Sequence, residues 1–350
     1  MKFLAMDRQL KRKRVYLKDI EMKNIKNDEV LIKLEACGLC GSDISNVKIN
    51  SCKPTDKLGH EVSGIIEKVG KNVKKIKKGE RVFVHHHTSC NKCYYCKHGN
   101  ETMCKKYIDS LEPCGISEKF IVPSWNIKQD SIYKIPTNIT MEEAAMIEPL
   151  ACCLRAWKKI DFNKNNSVAI FGIGPIGILH SMIAKTKYAK KIVGIDKNDY
   201  RLKFCQKICP VLTLNIKRDN IHQIIKKETK KRGVDVVIIS TSDMSTINEA
   251  MDIVRKGGTV LIFGEPKNNI KIKIEPSKIY TKELTITSSY AASTCEIKEA
   301  LELICTRKIE VKKIITHKFI LNDAVKAIKE IEHKKNIIKA IIVPNQTNLQ

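Results

Sequence analysis

Aromatic residues are scarce in this chain of 350 residues, at 5% with only two tryptophans. That scarcity argues against a surface built to stack nucleic-acid bases on aromatic platforms. Long apolar runs are missing too, and no stretch approaches the roughly 18 residues that a membrane span requires. Nor do the first ten residues read as a secretory leader, because Asp7 and Arg8 interrupt them before an apolar segment develops. Acidic charge is in deficit: 38 Asp and Glu face 64 Lys and Arg, a formal net charge of +26. Such a surplus raises the possibility of a nucleic-acid ligand. The excess is mostly lysine, however, and is spread over the whole chain. Its dense pieces, Lys11-Arg12-Lys13-Arg14 and 71–78, fall between strand-like runs, where a solvated face is the usual explanation. The expectation is therefore no nucleic-acid partner and no membrane.

What is present points to a folded, two-domain protein. Hydrophobic residues make up 43% of the chain, enough for two cores at this length. Fourteen cysteines are unusual, and several are clustered. Without a secretory leader, the expected setting is a reducing cytoplasm, where clustered thiols mean metal or catalysis more often than disulfides.

Organisation changes along the chain. Up to about residue 150, short β-type runs alternate with Gly-rich turns, as in 30–34, 64–69 and 81–84. From residue 166 the runs become continuously apolar, as expected of strands buried on both faces. Ser167-Val168-Ala169-Ile170-Phe171 is followed by a helical pattern over 176–187. Further apolar runs lie at 191–195, 234–239 and 259–263. This alternation predicts an α/β architecture with a doubly wound parallel sheet. The tail carries a helical stretch near 296–306 and a final β run, 337–343.

Between the first apolar run and its helix stands Gly172-Ile-Gly174-Pro-Ile176-Gly177. The first Gly makes the tight turn, the second admits a pyrophosphate to the backbone, and the third allows close helix–strand packing. The helix N-terminus then presents free N–H groups to phosphate. Asp196 closes the next run, 19 residues beyond Gly177. An acid there binds the ribose hydroxyls of NAD and repels the extra phosphate of NADP. NAD is thus the expected cofactor, although Lys197 stands beside Asp196.

Two constellations suit metals. Cys90, Cys93, Cys96 and Cys104 follow the pattern C-x2-C-x2-C-x7-C. Four thiolates close a tetrahedron around Zn²⁺ with no open position, so this set reads as structural. The compact ferredoxin pattern has a shorter last gap and a following Pro, where this chain has Lys105. The second set is dispersed: Cys40 in a Cys-Gly-Ser42-Asp43 run, His60-Glu61 after Gly59, and Glu148 before Pro149. A catalytic zinc takes three ligands of mixed type and keeps one position open. Taken singly, a buried cysteine or a solvated glutamate is unremarkable, and spacing alone does not pair these residues.

Together these residues resemble the zinc-dependent medium-chain dehydrogenase/reductase family, nearest its polyol and threonine dehydrogenase branch. The resemblance rests on 40–43, Gly-His-Glu at 59–61, Lys-Gly-Glu-Arg-Val at 78–82, the four-cysteine lobe, Glu-Pro-Leu at 148–150 and the glycine turn at 172–177. It implies a GroES-like β-rich catalytic domain over 1–150 and 291–350, with the zinc lobe at 85–110. A Rossmann domain over 151–290 would bind NAD. It further implies catalytic zinc on Cys40 and His60, with Glu61 or Glu148 as the third ligand, and Asp43 bonded to His60. Two Zn²⁺ per chain follow from this. Ser42 would take the substrate hydroxyl proton, and cofactor contacts would map onto Ile176, Asp196, Arg201, Phe263, Gly264, Ser289 and Tyr290. Many relatives carry a His two residues after the Asp, where this chain has Ser45, so a proton must leave by another group or by water.

The implied reaction passes hydride from a secondary alcohol to NAD, the alcohol being a polyol, amino alcohol, sugar or cyclitol derivative. Sugar phosphates and L-threonine suit related scaffolds. A homotetramer or homodimer is implied by analogy. Loops 44–58 and 107–119 would shape the small-molecule pocket. Three consecutive histidines, His85-His86-His87, read as a strand end, since neighbouring strand residues face opposite ways; a pocket role for one of them stays open. Cys152, Cys153 and the pair Cys205 and Cys209, read at i,i+4 on a helix, are expected in packing. A zinc-lobe nucleic-acid binder would have no need of Cys40, His60, Glu61 and a dinucleotide turn together. A zinc-free reductase of the same fold would have no need of the cysteine lobe.

Overall fold

The computed structural model describes residues 2–7, 14–19, 21–22, 24–48, 58–110, 115–266 and 269–344. Residues 11–13 of the first basic run, and 49–57 and 111–114 of the two pocket loops, lie outside them. The chain divides into two compact units, one of residues 1–151 with 292–350 and the other of residues 152–291.

In the first unit seven strands form one sheet. Its path runs Ile315–Ile320, Lys339–Val343, Val30–Gly38, Glu61–Val69, Arg81–Val84, Ile132–Lys134, and Lys119–Val122 also pairs with Val30–Gly38. Only the pair of Ile315–Ile320 with Lys339–Val343 is parallel. Val30–Gly38 is the central strand and is buried on both faces except at Lys33 and Glu35. Helix Ala324–His333 lays Ala324, Ala327 and Ile328 on the same core, the i, i+3, i+4 spacing of a buried helical stripe. Each fully buried Val, Leu or Ile of this cluster contributes roughly 1.5–3 kcal/mol. The unit is assembled from two chain segments, and polar ties join them. Arg307 pairs with Glu143 and reaches the Asn138 carbonyl, while Asn138 Nδ2 donates to the Cys305 carbonyl at 3.0 Å.

The second unit is a six-stranded, wholly parallel sheet. Its order is Leu212–Asn215, Lys191–Asp196, Ser167–Phe171, Val234–Ile239, Val254–Ile262, Thr285–Ser288. Numbered by sequence, that is 3-2-1-4-5-6, the doubly wound order. Ser167–Phe171 and Val234–Ile239 are buried at every position. The polar exception, Asp235, is matched: it accepts from the Ser167 N–H and hydroxyl at 2.7 Å each and from Arg255 Nε at 2.6 Å.

The histidine run lies beyond the strand Arg81–Val84 and not within its end. Helix Asp199–Ile208 ends at its cap Cys209, whose N–H donates to the Cys205 carbonyl at 2.8 Å, so the two cysteines keep the expected i,i+4 spacing and both are buried. Ser42 sits inside helix Gly41–Lys48. No helix among the described residues is long and apolar enough to cross a membrane.

Candidate active site

Two groups of side chains are arranged to hold a metal. In the first, one ligand atom each from Cys40, His60 and Glu61 lies within 4.8 Å of the others. Cys40 directly precedes helix Gly41–Lys48, and Glu61 opens strand Glu61–Val69. Asp43 ties these segments together. One carboxylate oxygen accepts from Cys40 N–H at 3.1 Å, and the other accepts from Gly59 N–H at 3.0 Å. The second oxygen also lies 3.5 Å from His60 Nδ1. That contact fixes the ring and leaves Nε2 as the nitrogen for a metal.

The electrostatics follow from this contact. Burial alone would raise the Asp43 carboxyl, but His60 and the two backbone donors hold it below its usual range. Burial alone would lower His60, yet Asp43 and Cys40 raise it well above an ordinary imidazole. A divalent cation must displace that proton to bind.

Glu61 is 1% exposed and faces a lysine from the far end of the chain. Lys339, 3% exposed, forms an ion pair with Glu61, and its Nζ donates to the Leu39 carbonyl at 3.0 Å. Burial would lower the ammonium pKa, but Glu61, Cys40 and Glu148 outweigh that and raise it. Gly38 makes room for the carboxylate. A Cβ there would stand 2.9 Å from Glu61 Cδ and nearer still to Oε2. Glu148, in the first turn of helix Ile147–Lys158, is buried and acts on Lys339, but it is outside the group of three. Ser42 is half-buried, two residues after Cys40, and Ser45 is exposed on the same helix.

The second group is Cys90, Cys93, Cys96 and Cys104, again with ligand atoms within 4.8 Å. The Cys93–Cys96 and Cys90–Cys96 sulfurs are 3.5 and 4.0 Å apart. Zn–S bonds of 2.3 Å in a tetrahedron require sulfurs roughly 3.8 Å apart, so the separations fit a closed zinc site. Around the Cys40 group, the donors are one thiol, one imidazole and one carboxylate, a set that leaves a zinc position open.

The rings of the histidine run cluster, with the centroids of His86 and His87 3.9 Å apart and His85 5.8 Å from His86. His86 packs against His60 with ring centroids 5.2 Å apart, and Asn126 Nδ2 donates to its carbonyl at 2.9 Å. His87 stacks on Tyr107 at 4.6 Å, and Tyr107 OH donates to the Ala292 carbonyl at 2.6 Å. His85 is buried, and desolvation lowers its pKa to about 4. None of the three joins either metal group among the described residues.

In the parallel-sheet unit, the residues expected to bind a dinucleotide stand at the carboxyl ends of strands. Gly172 has φ +88°, a left-handed turn that favours glycine. Gly174 caps helix Pro175–Thr186 and Ile176 lies in its first turn. A Cβ on Gly177 would come 3.0 Å from the Gly172 carbonyl carbon, so helix and turn touch. Asp196 latches the turn: it accepts from Ile173 N–H at 2.7 Å and Asn198 N–H at 2.9 Å, with Arg201 at 3.9 Å. Phe263 and Gly264 follow the strand Val254–Ile262, and both their N–H groups donate to the Ile239 carbonyl. Ser289 and the exposed Tyr290 follow the strand Thr285–Ser288. These residues stand outside the carboxyl ends of the strands, and doubly wound sheets take nucleotides there at the point where the strand order reverses.

Sequence reading passed over Gly38 and Lys339. A signal for the second was on view, since a lysine inside the apolar run 337–343 needs a buried partner.

Comparison with known proteins completes the description. Residues 26–136 match the alcohol dehydrogenase GroES-like domain, and residues 175–306 match the zinc-binding dehydrogenase domain. The chain is 30% identical to D-xylulose reductase A of Aspergillus oryzae over 320 residues, 88% of each chain. It is 29% identical to the sorbitol dehydrogenase of Bacillus subtilis over 341 residues, 95% of each. Among solved structures, a zinc-binding dehydrogenase of Sinorhizobium meliloti bound to NADP superposes with a TM-score of 0.88. It is 25% identical and covers 98% of this chain and 100% of its own.

Proposed function

The chain belongs to the zinc-dependent medium-chain dehydrogenase family, on its polyol side, and from that premise we propose that it oxidises a secondary alcohol of a polyol to a ketone with NAD. One observation carries the reading: Cys40, His60 and Glu61 converge while Asp43 orients the imidazole. Zinc held there would lower the pKa of a substrate hydroxyl, and NAD would supply the hydride acceptor.

Cys40 and His60 would hold the metal, with Glu61 or the buried Glu148 as third ligand. Ser42, in helix Gly41–Lys48 two residues after Cys40, takes the hydroxyl proton and passes it to water, since Ser45 cannot relay it as an imidazole would. Cys90, Cys93, Cys96 and Cys104 hold a second zinc and keep the lobe folded. The catalytic domain is 1–150 with 291–350, and 151–290 binds NAD. In that domain Gly172, Gly174, Ile176 and Gly177 approach the pyrophosphate, Asp196 and Arg201 the adenine ribose, and Phe263, Gly264, Ser289 and Tyr290 the rest of the cofactor. Asp196 supports NAD over NADP, because its carboxylate repels a 2′-phosphate. The protein works in the cytoplasm as a homodimer or homotetramer.

The test is an NAD-reduction screen over polyols, amino alcohols, sugar phosphates and aminocyclitols, with elemental analysis alongside. Polyol-dependent NADH formation and about two zinc per chain are expected. No reduction with any polyol refutes the substrate class, and one zinc or none refutes the two-site reading.

A further inference from the structure

His180 is a buried imidazole that the proposed reaction does not use. It stands in the second turn of helix Pro175–Thr186, the helix that the glycine turn opens, and is fully buried. Packing alone does not call for it, since burying a polar ring costs free energy that an aliphatic side chain does not. A neighbour fixes where its proton sits. The Trp157 indole can only donate, and its Nε1 donates to His180 Nδ1 at 3.0 Å. Burial keeps the ring neutral by lowering its pKa to about 3, so its one proton is on Nε2. That nitrogen has no hydrogen-bond partner among the described residues. The imidazole does have an aromatic neighbour: Phe263 lies edge-to-face with it, ring centroids 4.7 Å apart and planes at 86°. An N–H edge is attracted to the negative face of such a ring. Trp157 is in turn held edge-to-face by Phe162 at 4.8 Å. Phe263 itself is pinned by its backbone, whose N–H donates to the Ile239 carbonyl at 3.0 Å, while its phenyl is half-buried beside Gly264.

We propose that His180 is a positioning residue for the cofactor: Trp157 sets its tautomer, and its Nε2–H edge holds the Phe263 ring in place for the nicotinamide half of NAD. The proposal rests on the reading of Phe263 as part of the NAD site. Two consequences follow. Losing the imidazole should weaken the whole dinucleotide but not a ligand that stops short of the nicotinamide. The loss should also vanish once residue 263 has no ring to hold, because two side chains that act through one contact are not additive.

The experiment is calorimetric titration of the intact protein with NAD and with ADP-ribose, which keeps the adenine, both riboses and the pyrophosphate but has no nicotinamide. His180→Leu is expected to weaken NAD about fivefold, the scale of one lost aromatic contact, and to leave ADP-ribose within about twofold. His180→Gln keeps an acceptor for the indole and an N–H for the phenyl, guards against loss of folding, and is expected to bind NAD as the parent does. In a Phe263→Leu background, His180→Leu should change NAD affinity by less than about twofold. Unchanged NAD affinity in His180→Leu overturns the proposal. So does an equal loss for NAD and ADP-ribose, which would mean that the imidazole acts only through the fold of the glycine-turn helix. A loss that persists in Phe263→Leu, or one as large in His180→Gln as in His180→Leu, overturns it as well. If Phe263→Leu alone leaves NAD affinity untouched, the reading of Phe263 as a cofactor contact fails instead.

Discussion

Gly38→Ala isolates the contact between the central strand and the site. The new Cβ would stand 2.9 Å from Glu61 Cδ, where ordinary contact begins at 3.4 Å. The side chain must therefore retreat by 3.4 − 2.9 = 0.5 Å at Cδ, and further at Oε2, which lies closer. The backbone offers little relief, because Gly38 is paired with Glu61 on one side and Ile341 on the other. The carboxylate is the part that moves, and it moves away from Lys339. Breaking a buried ion pair by losing one partner costs about 3–5 kcal/mol, and a partial displacement should cost about half of that. A shift of about 1 Å in a catalytic group costs about a hundredfold in rate. The expected variant is folded, loses about 2 kcal/mol in urea unfolding, and shows kcat/KM lower by about a hundredfold. Glycine to alanine at an ordinary backbone conformation usually adds about 0.4–1 kcal/mol, and Gly38 is not in a left-handed one. Unchanged or increased stability together with normal turnover would refute the steric argument.

Other expectations follow from the same geometry. Cys40→Ser should abolish turnover while NAD, held by the parallel-sheet unit, still binds with unchanged affinity by fluorescence titration; surviving turnover would remove Cys40 from the metal. Asp196→Ser should move the NAD/NADP ratio of kcat/KM toward NADP by at least about tenfold, about 1.4 kcal/mol, and an unmoved ratio would demote Asp196. His180 sets a pH dependence of stability. Burial lowers its pKa from 6.5 to about 3, and its Nδ1 accepts from Trp157 Nε1 at 3.0 Å, so the folded ring stays neutral. The unfolded state then binds more protons between those values, and stability present above pH 6.5 is lost on acidification, by about 2 kcal/mol from pH 7 to pH 5. His180→Leu should cost about 1–3 kcal/mol at pH 7 by stranding the indole N–H, yet flatten that pH profile in urea titrations; parallel profiles for the two proteins would contradict it.

The parallel sheet was legible because its signals are local. Ser167–Phe171 is apolar at four of five positions since both its faces are covered, and a glycine turn followed by proline at the helix start is written in consecutive residues. The four-cysteine lobe is likewise a matter of short spacing. The Cys40 group was visible only as residue types, because its geometry depends on Asp43 drawing Gly59 toward Cys40, a contact across 16 residues. Lys339 and Gly38 escaped altogether. The first takes its meaning from a partner in another strand, and the second from a side chain that crosses above it. The histidine run was misplaced because three histidines carry little intrinsic preference, so tertiary packing decided.

Leu39 and Lys339 are 300 residues apart in the chain, and that separation governs the order of assembly on the ribosome. The thiol, imidazole and carboxylate of the site emerge early, before either sheet can close. Its ammonium emerges last, on a strand that must pair with Val30–Gly38 across the whole intervening unit, the kind of non-local pairing that folds slowly. A nascent chain thus exposes a metal-hungry cluster without its counter-charge for most of synthesis. Zinc captured at that stage would meet Glu61 before Lys339 can pair with it.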